Sequence, residues 1–199
     1  MRADARANRD DILEAATELF QEHGVTVALR TIAARAGVGV ATLHRHFPDR
    51  EALMMAVADH IHAGASAIIA EHDDQWGDDP WAAWTGVVHR LAELGVAALM
   101  QSASDFAVRE DRVDAFAKVA RGRDLQRMGQ MLKKAAAHGY APADLDPYRF
   151  AAGIAIVSRP LPDVTAQLLP DQREWIVDVY IEGLRARAKG DQNQVGSTA

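Results

Sequence analysis

Residues 29–53, LRTIAARAGVGVATLHRHFPDREAL, decide the fold. The stretch reads as two short helices joined by a glycine-flanked turn, followed at once by a capped third helix. Apolar Ile32, Ala33, Ala36, Val38 and Leu43 fall at the spacing that packs two helices across a tight turn. The second helix is then free to present Val40, Ala41, Thr42, His44 and Arg45 outward. A helix-turn-helix offers its recognition helix to the major groove in this way.

Outward from the motif, apolar residues recur at spacings of three and four and nothing reads as a strand. The expected fold is all-α, about nine helices, with a three-helix DNA-binding head followed by a larger helical domain. A first helix over 9–23 buries Ile12, Leu13, Ala16, Leu19 and Phe20 and closes at Gly24. Asp49 caps a fourth helix that runs to about residue 71, with Glu51 favourable in its first turn. After the polar stretch HDDQWGDD, Asp79-Pro80 restarts the chain as N-cap and first helical residue, for a helix over 81–101. A short helix near 103–109 and a long one over 111–138, closed by Gly139, come next. Asp146-Pro147 begins a helix to about 158, which Arg159-Pro160-Leu161-Pro162 breaks. A last helix covers 171–188. The domain boundaries expected are 1–48 for the DNA-binding head, 49–188 for the helical body and 189–199 for a disordered tail.

Composition narrows the function. The 199 residues contain no cysteine, which excludes disulfides, thiolate metal sites and a cysteine nucleophile. The N-terminal MRADARANRDD lacks the apolar core of a signal peptide, and no apolar run reads as reaching the roughly 18–20 residues that span a bilayer. A cytoplasmic protein without membrane contact is expected. The net charge of −6 is unevenly spread: residues 1–50 hold seven arginines against seven acids, so the remaining 15 cations and 21 acids carry all of it. The acidity therefore lies away from the DNA-reading motif, and local fields steer association more than the sum does.

Residues 9–53 resemble the DNA-binding domain of the TetR family of transcriptional regulators, whose consensus runs T-I-A-x-x-A-G-V-S-x-x-T-L-Y-x-H-F-x-x-K-E-x-L. The matching positions are Thr31-Ile32-Ala33, Ala36-Gly37-Val38, Thr42-Leu43, His46-Phe47, Glu51 and Leu53. Three positions depart from it. His44 replaces a phosphate-contacting tyrosine and can make that contact through a ring N–H; Gly39 replaces a serine cap; and Arg50 replaces a lysine. The resemblance implies that Arg30, Thr31, Thr42, His44 and Arg50 contact the DNA backbone. It implies that Val40, Ala41 and Arg45 face base edges, Arg45 with a guanidinium able to read guanine through two donors. His46 serves either role.

The resemblance also implies that the C-terminal domain pairs two protomers and encloses a small molecule. For the interface, the last two helices carry apolar stripes: Phe150, Ala151, Ile154, Ala155 and Val157 on one, and Trp175, Ile176, Val179, Tyr180 and Leu184 on the other. They are read either as a four-helix isologous interface or as an internal core pair. For a partly apolar effector the candidates are Met54, Met55, Trp84, Val88, Leu91, Met100, Phe106, Phe116, Met128 and Met131, since methionines adapt to irregular ligands and aromatics supply flat walls. No cofactor and no metal are expected: His60 and His62, two apart on a helix, point to different faces. No catalytic motif is present. The function expected is a homodimeric regulator binding double-stranded DNA, a repressor released from a palindromic operator by a small molecule. The alternatives are a constitutive DNA-binding protein without a ligand, or an all-α enzyme.

Overall fold

Every regular element among the described residues is helical. The structure, a computed structural model, describes residues 2–94, 104, 108, 111 and 125–196. Its helices are α1 (Arg2–His23), α2 (Leu29–Arg35), α3 (Val40–His46), α4 (Arg50–Glu71), α5 (Pro80–Glu93), α6 (Gln126–Ala137), α7 (Pro147–Val157), α8 (Asp163–Leu168) and α9 (Gln172–Gly196), with a 3₁₀ turn at Asp73–Gly77. The caps read from the sequence are in place. Asp49 Oδ1 accepts from the Ala52 amide at 2.8 Å, Asp79 Oδ1 from Ala82 at 3.0 Å, and Asp146 Oδ1 from Tyr148 and Arg149 at 2.9 and 3.0 Å. Each satisfies an amide that has no partner within its helix.

The boundaries differ from expectation where the sequence lacks a strong stop. α1 begins at Arg2 and α9 continues to Gly196, because the Ala/Arg-rich start and the Lys/Gln-rich end contain no proline to stop a helix. The expected helix over 111–138 does not run unbroken. Leu125 stands outside helical geometry at φ −93° and ψ 20°, and α6 starts only at Gln126. Gly122 and Asp124, both poor in helix interiors, stand just upstream in the sequence. The expected helix near 103–109 lies largely outside the described residues. α8 is an addition, following the double-proline break.

α4 corrects the membrane expectation. The stretch within 50–77 is long and apolar enough, by length and composition alone, to cross a membrane. The apolarity comes from alanines scattered among stronger hydrophobes and is interrupted by Asp59, His60 and His62, so no continuous run catches the eye. Leu53, Val57, Ile61, Ile68 and Ile69 are nonetheless buried within the protein.

The chain divides into two compact units, and the division falls inside α4 between Ala63 and Gly64. In the first, α1 packs on α2 and α3, and α2 on α3. Its core is Ile12, Leu13, Ala16, Leu19, Phe20, Val25, Ile32, Ala33, Leu43, Phe47, Leu53 and Val57, none more than 3% exposed. In the second, α5 packs against the 3₁₀ turn, α7 and α9, and α7 also against α6 and α9. Trp84 and Phe150 sit at its centre with ring centroids 5.7 Å apart.

The contact between α7 and α9 leaves no room at Gly153. A Cβ there would lie 2.7 Å from Tyr180 Cζ and 3.0 Å from Cε2. Tyr180 is held by its neighbours: its hydroxyl donates to the Phe150 carbonyl at 3.4 Å, and burial pushes its phenol up to about 12. The Gly153→Ala variant is therefore expected to lose about 1–3 kcal/mol of stability by overpacking. Gly190, with nothing within 4 Å of where its Cβ would lie, serves as the control: alanine there should be neutral or slightly stabilising. Urea denaturation of both variants checks the contrast, and equal midpoints would refute the close-approach argument.

Candidate nucleic-acid interface

The turn between α2 and α3 sets the reading surface. Gly37 adopts φ +67°, a conformation that a side chain disfavours, and no atom lies within 4 Å of where its Cβ would be. Backbone conformation, not space, therefore requires glycine here. The turn closes with Gly37 N–H donating to Ala34 O at 3.2 Å and Val38 N–H to Ala33 O at 2.9 Å. Ile32 and Ala33 of α2 and Leu43 of α3 are buried, while Ala36 and Val38 are half-buried at the turn. Arg35 fixes α2 to α1 from outside, with Nη1 2.9 Å from Glu18 Oε2 and Nη2 4.0 Å from Glu22 Oε2. Both partners are about half exposed, so the pair orders the helices more than it stabilises them.

On the opposite side of α3, Val40, Ala41, His44 and Arg45 are exposed and Thr42 is half-buried; Arg30 and Thr31 are exposed at the start of α2. The structure thus brings eight of the nine nominated positions, Arg50 being the exception, to the two helices of the motif. α3 carries no acidic residue, and its last turn holds His44, Arg45 and His46. His44 Nδ1 lies 3.4 Å from the Pro48 carbonyl. His46 is half-buried, its ring 6.3 Å from that of Phe47 and tilted by 46°. Arg45 is folded back on its own helix: Nε donates to the Ala41 carbonyl at 3.3 Å and Nη2 to Thr42 Oγ1 at 2.8 Å.

Arg50 does something the sequence did not reveal. Its Nη1 donates to the Val25 carbonyl, tying the first turn of α4 to the loop between α1 and α2. Burial lowers its pKa, but a guanidinium stays charged throughout the physiological range. Arg9 was also missed: its guanidinium lies 5.4 Å above the Phe47 ring, beside the end of α3. Neither contact has a signal in sequence spacing, because each joins residues far apart in the chain.

The other two groups of candidates lie elsewhere. Met54 and Met55 are half-buried on α4, in the first unit. Trp84, Val88, Leu91, Met128 and Met131 are buried together in the core of the second. Met100, Phe106 and Phe116 fall outside the described residues. Of the interface candidates, Phe150, Ile154 and Ala155 are buried in the protomer's own core, and Ala151, Ile176 and Tyr180 are half-buried. That corrects the assignment of Phe150, Ile154 and Ala155 to a surface. The inward face of α9 is Val177, Ile181, Leu184 and Ala188, which leaves Trp175 and Val179 outside at 57% and 47% exposure, with Ile156 of α7 at 75%.

A three-helix head presenting a short, acid-free helix, joined to a larger helical body, defines a helix-turn-helix DNA-binding regulator. Residues 12–57 match the family of bacterial regulatory proteins, tetR family. The chain is 41% identical over 87 residues to the HTH-type transcriptional repressor LfrR of Mycolicibacterium smegmatis, covering 44% of this chain and 45% of that one. It is 46% identical over 54 residues to an HTH-type transcriptional regulator of Staphylococcus aureus, 27% of this chain and 29% of that one. These sequence matches thus span less than half of the relatives' own length. The fold likeness is longer. The LfrR structure from Mycobacterium smegmatis, solved in complex with proflavine, superposes with a TM-score of 0.59 at 27% identity over 89% of this chain and 95% of that one. The TetR transcription regulatory protein from Mycobacterium vanbaalenii does so with 0.57 at 30% identity over 92% and 98%. The chain belongs to the TetR family of DNA-binding transcriptional regulators.

The Arg50 contact carries a stability prediction. Arg50→Met should loosen the junction of α4 with the α1–α2 loop and cost about 1 kcal/mol, the low end for a charged hydrogen bond because the site is half exposed. Faster amide exchange at residues 24–28 is the expected readout, and unchanged exchange would show the contact to be dispensable.

Proposed function

We propose that this chain is a homodimeric, cytoplasmic repressor that leaves a palindromic operator when a small molecule binds its helical body. In this reading residues 1–48 form the DNA-binding head and 49–188 the ligand-binding and dimerisation body. That boundary is one of role, whereas the one inside α4 is one of packing. Arg30, Thr31, Thr42 and His44 contact phosphates; Val40, Ala41 and Arg45 face base edges; His46 is secondary. Arg50 supports the head from within. A backbone set of this kind positions the protein, and the base readers specify the sequence.

The observation that carries the dimer is the exposed apolar row of Ile156, Trp175 and Val179 on α7 and α9. Large apolar side chains left outside on adjoining helices mark an interaction surface. One recognition helix alone binds weakly, and two-fold pairing supplies a second half-site about 34–36 Å along the duplex. The isologous interface proposed is therefore this outer row, in place of the buried Phe150 and Ile154.

The effector reading is supported by Trp84. Its indole N–H is fully buried and has no hydrogen-bond partner among the described residues, a condition that costs about 1–3 kcal/mol. The indole is a donor only, so what would satisfy it is a neutral acceptor such as a carbonyl, in apolar surroundings that include Val88 and Met131. A relative of the same fold holds proflavine, a planar ring system. Because α4 belongs to both compact units, a ligand that biases it biases the heads. Coupling of about 2–3 kcal/mol would change operator affinity roughly 30- to 150-fold.

Two measurements test this. Trp175→Asp should turn the dimer into a monomer by sedimentation and lower affinity for the duplex upstream of its own gene at least about tenfold, with helicity kept; a dimer that persists would remove the proposed interface. For the effector, the probes are 9-fluorenone and fluorene, the same ring system with and without a carbonyl. Wild type should bind fluorenone about 5- to 10-fold more tightly, the worth of one hydrogen bond, and Trp84→Phe should erase the difference. Equal binding would acquit Trp84 of the role, and ligand binding that leaves operator affinity unchanged would remove release by an effector.

A further inference from the structure

The reading helix is not waiting with its arginine loose. A guanidinium carries five N–H donors in a planar fork. In Arg45 the edge formed by Nε and Nη2 is docked on α3 itself, Nε on the Ala41 carbonyl at 3.3 Å and Nη2 on Thr42 Oγ1 at 2.8 Å. Both partners lie one turn before Arg45, at i−4 and i−3, where a long side chain lies back along its helix. The edge formed by Nη1 and the outer N–H of Nη2 is left free. No acid on α3 competes for it, and the partners seen for this guanidinium among the described residues are Ala41 and Thr42 alone. The free edge is a parallel donor pair, and guanine offers a matching acceptor pair, O6 and N7, in the major groove.

We propose that Thr42 is a specificity-determining positioning residue: its hydroxyl holds Arg45 edge-on against α3, so that the outer edge of the guanidinium is the face offered to a guanine. The inference rests on the reading above that α3 enters the major groove with Arg45 at a base edge. It gives Thr42 a task separate from a phosphate contact. As an acceptor from Arg45, the hydroxyl keeps its own proton free for the backbone, so one side chain serves both register and readout. Fixing the arginine before DNA arrives removes ordering cost at binding, and the saving falls on the base contact alone.

The test is a base-preference profile of the full-length protein on a random 20-base-pair duplex library, for wild type, Arg45→Ala, Thr42→Val and Thr42→Ser. Valine keeps the shape and loses the hydroxyl, and serine restores it. Wild type should show a guanine position that Arg45→Ala erases. Thr42→Val should weaken the preference at that position about 5- to 10-fold and leave base preference at the other positions unchanged, beside a uniform fall in affinity from the lost phosphate contact, and Thr42→Ser should retain the preference; circular dichroism confirms the fold of each. A Thr42→Val variant that loses affinity uniformly but keeps its guanine preference, or whose preference weakens at every position alike, overturns the positioning role while Arg45 still reads. If Arg45→Ala erases no position, the base-reading role of Arg45 fails, and this inference with it.

Discussion

A helix of seven residues does not stand in water by itself. Isolated helices shorter than about 12–15 residues are marginal even with favourable sequences, and α3 has seven, of which only Leu43 is buried. Its existence therefore depends on one side chain entering the core that α3 shares with α1 and α2, where Ile12, Ala16, Leu19, Phe20 and Ile32 are all fully or almost fully buried, as is Phe47 just beyond its end. Burial of a leucine contributes about 1.5–3 kcal/mol, enough to hold two turns whose ends are fixed by the Gly37 turn and by the Phe47 N–H, which donates to the Leu43 carbonyl at 2.8 Å. The reading surface follows from the same constraint. Since Leu43 alone is needed inside, the other six side chains of α3 remain wholly or partly exposed.

The helical body applies the principle with the opposite result. α9 is apolar on two sides, and only one of them seals a core: Val177, Ile181 and Leu184 join Phe150 and Ile154, with Tyr180 filling the space left by Gly153. Trp175 and Val179 are left outside with Ile156. In the proposed dimer a second copy would cover them, bringing an identical patch across a two-fold axis. His89 Nε2, 2.8 Å from Asp178 Oδ1, ties α5 to α9 between those two apolar residues. The outer face is thus held in register with the layer containing Trp84.

The head was legible because its determinants are local. The Gly37 turn, the Asp49 cap and the spacing of Ile32, Ala33 and Leu43 lie within about twenty residues, and each has one conformation that suits it. The body was legible in its helices and much less so in its faces. On α9 the sets Trp175/Val179 and Val177/Ile181 both have helical spacing, and periodicity cannot say which turns inward; that depends on where Gly153 allows Tyr180 to sit, twenty-seven residues away in sequence. For the same reason Phe150 and Ile154 read as interface and prove to be core. The Arg50 bond to Val25 and the Arg9 stack on Phe47 join distant segments, so no motif announces them. The latch on Arg45 is local, yet a sequence names only the residues capable of it, Thr42 and a backbone carbonyl, and not the rotamer that forms it.

The charges of the motif bear on how such a regulator would be released. Arg35 is paired with Glu18, and Arg50 is bonded to Val25. Among the cations of α2, α3 and the start of α4 this leaves Arg30, exposed, and the outer edge of Arg45. Non-specific affinity for DNA grows with the number of phosphates neutralised, each contributing about 0.9 to the salt slope, and a described α2–α3 motif with so few free cations gains little from that source. The acidic remainder of the chain adds repulsion at longer range. In the proposed function, operator occupancy then rests on base contacts made twice, once per head, with Arg30, Thr31, Thr42 and His44 setting the register on the backbone. A protein bound in that way needs no large conformational change to be removed. Spoiling the simultaneous fit of two heads forfeits the second set of contacts, and the weak attraction that remains cannot retain the protein at its site.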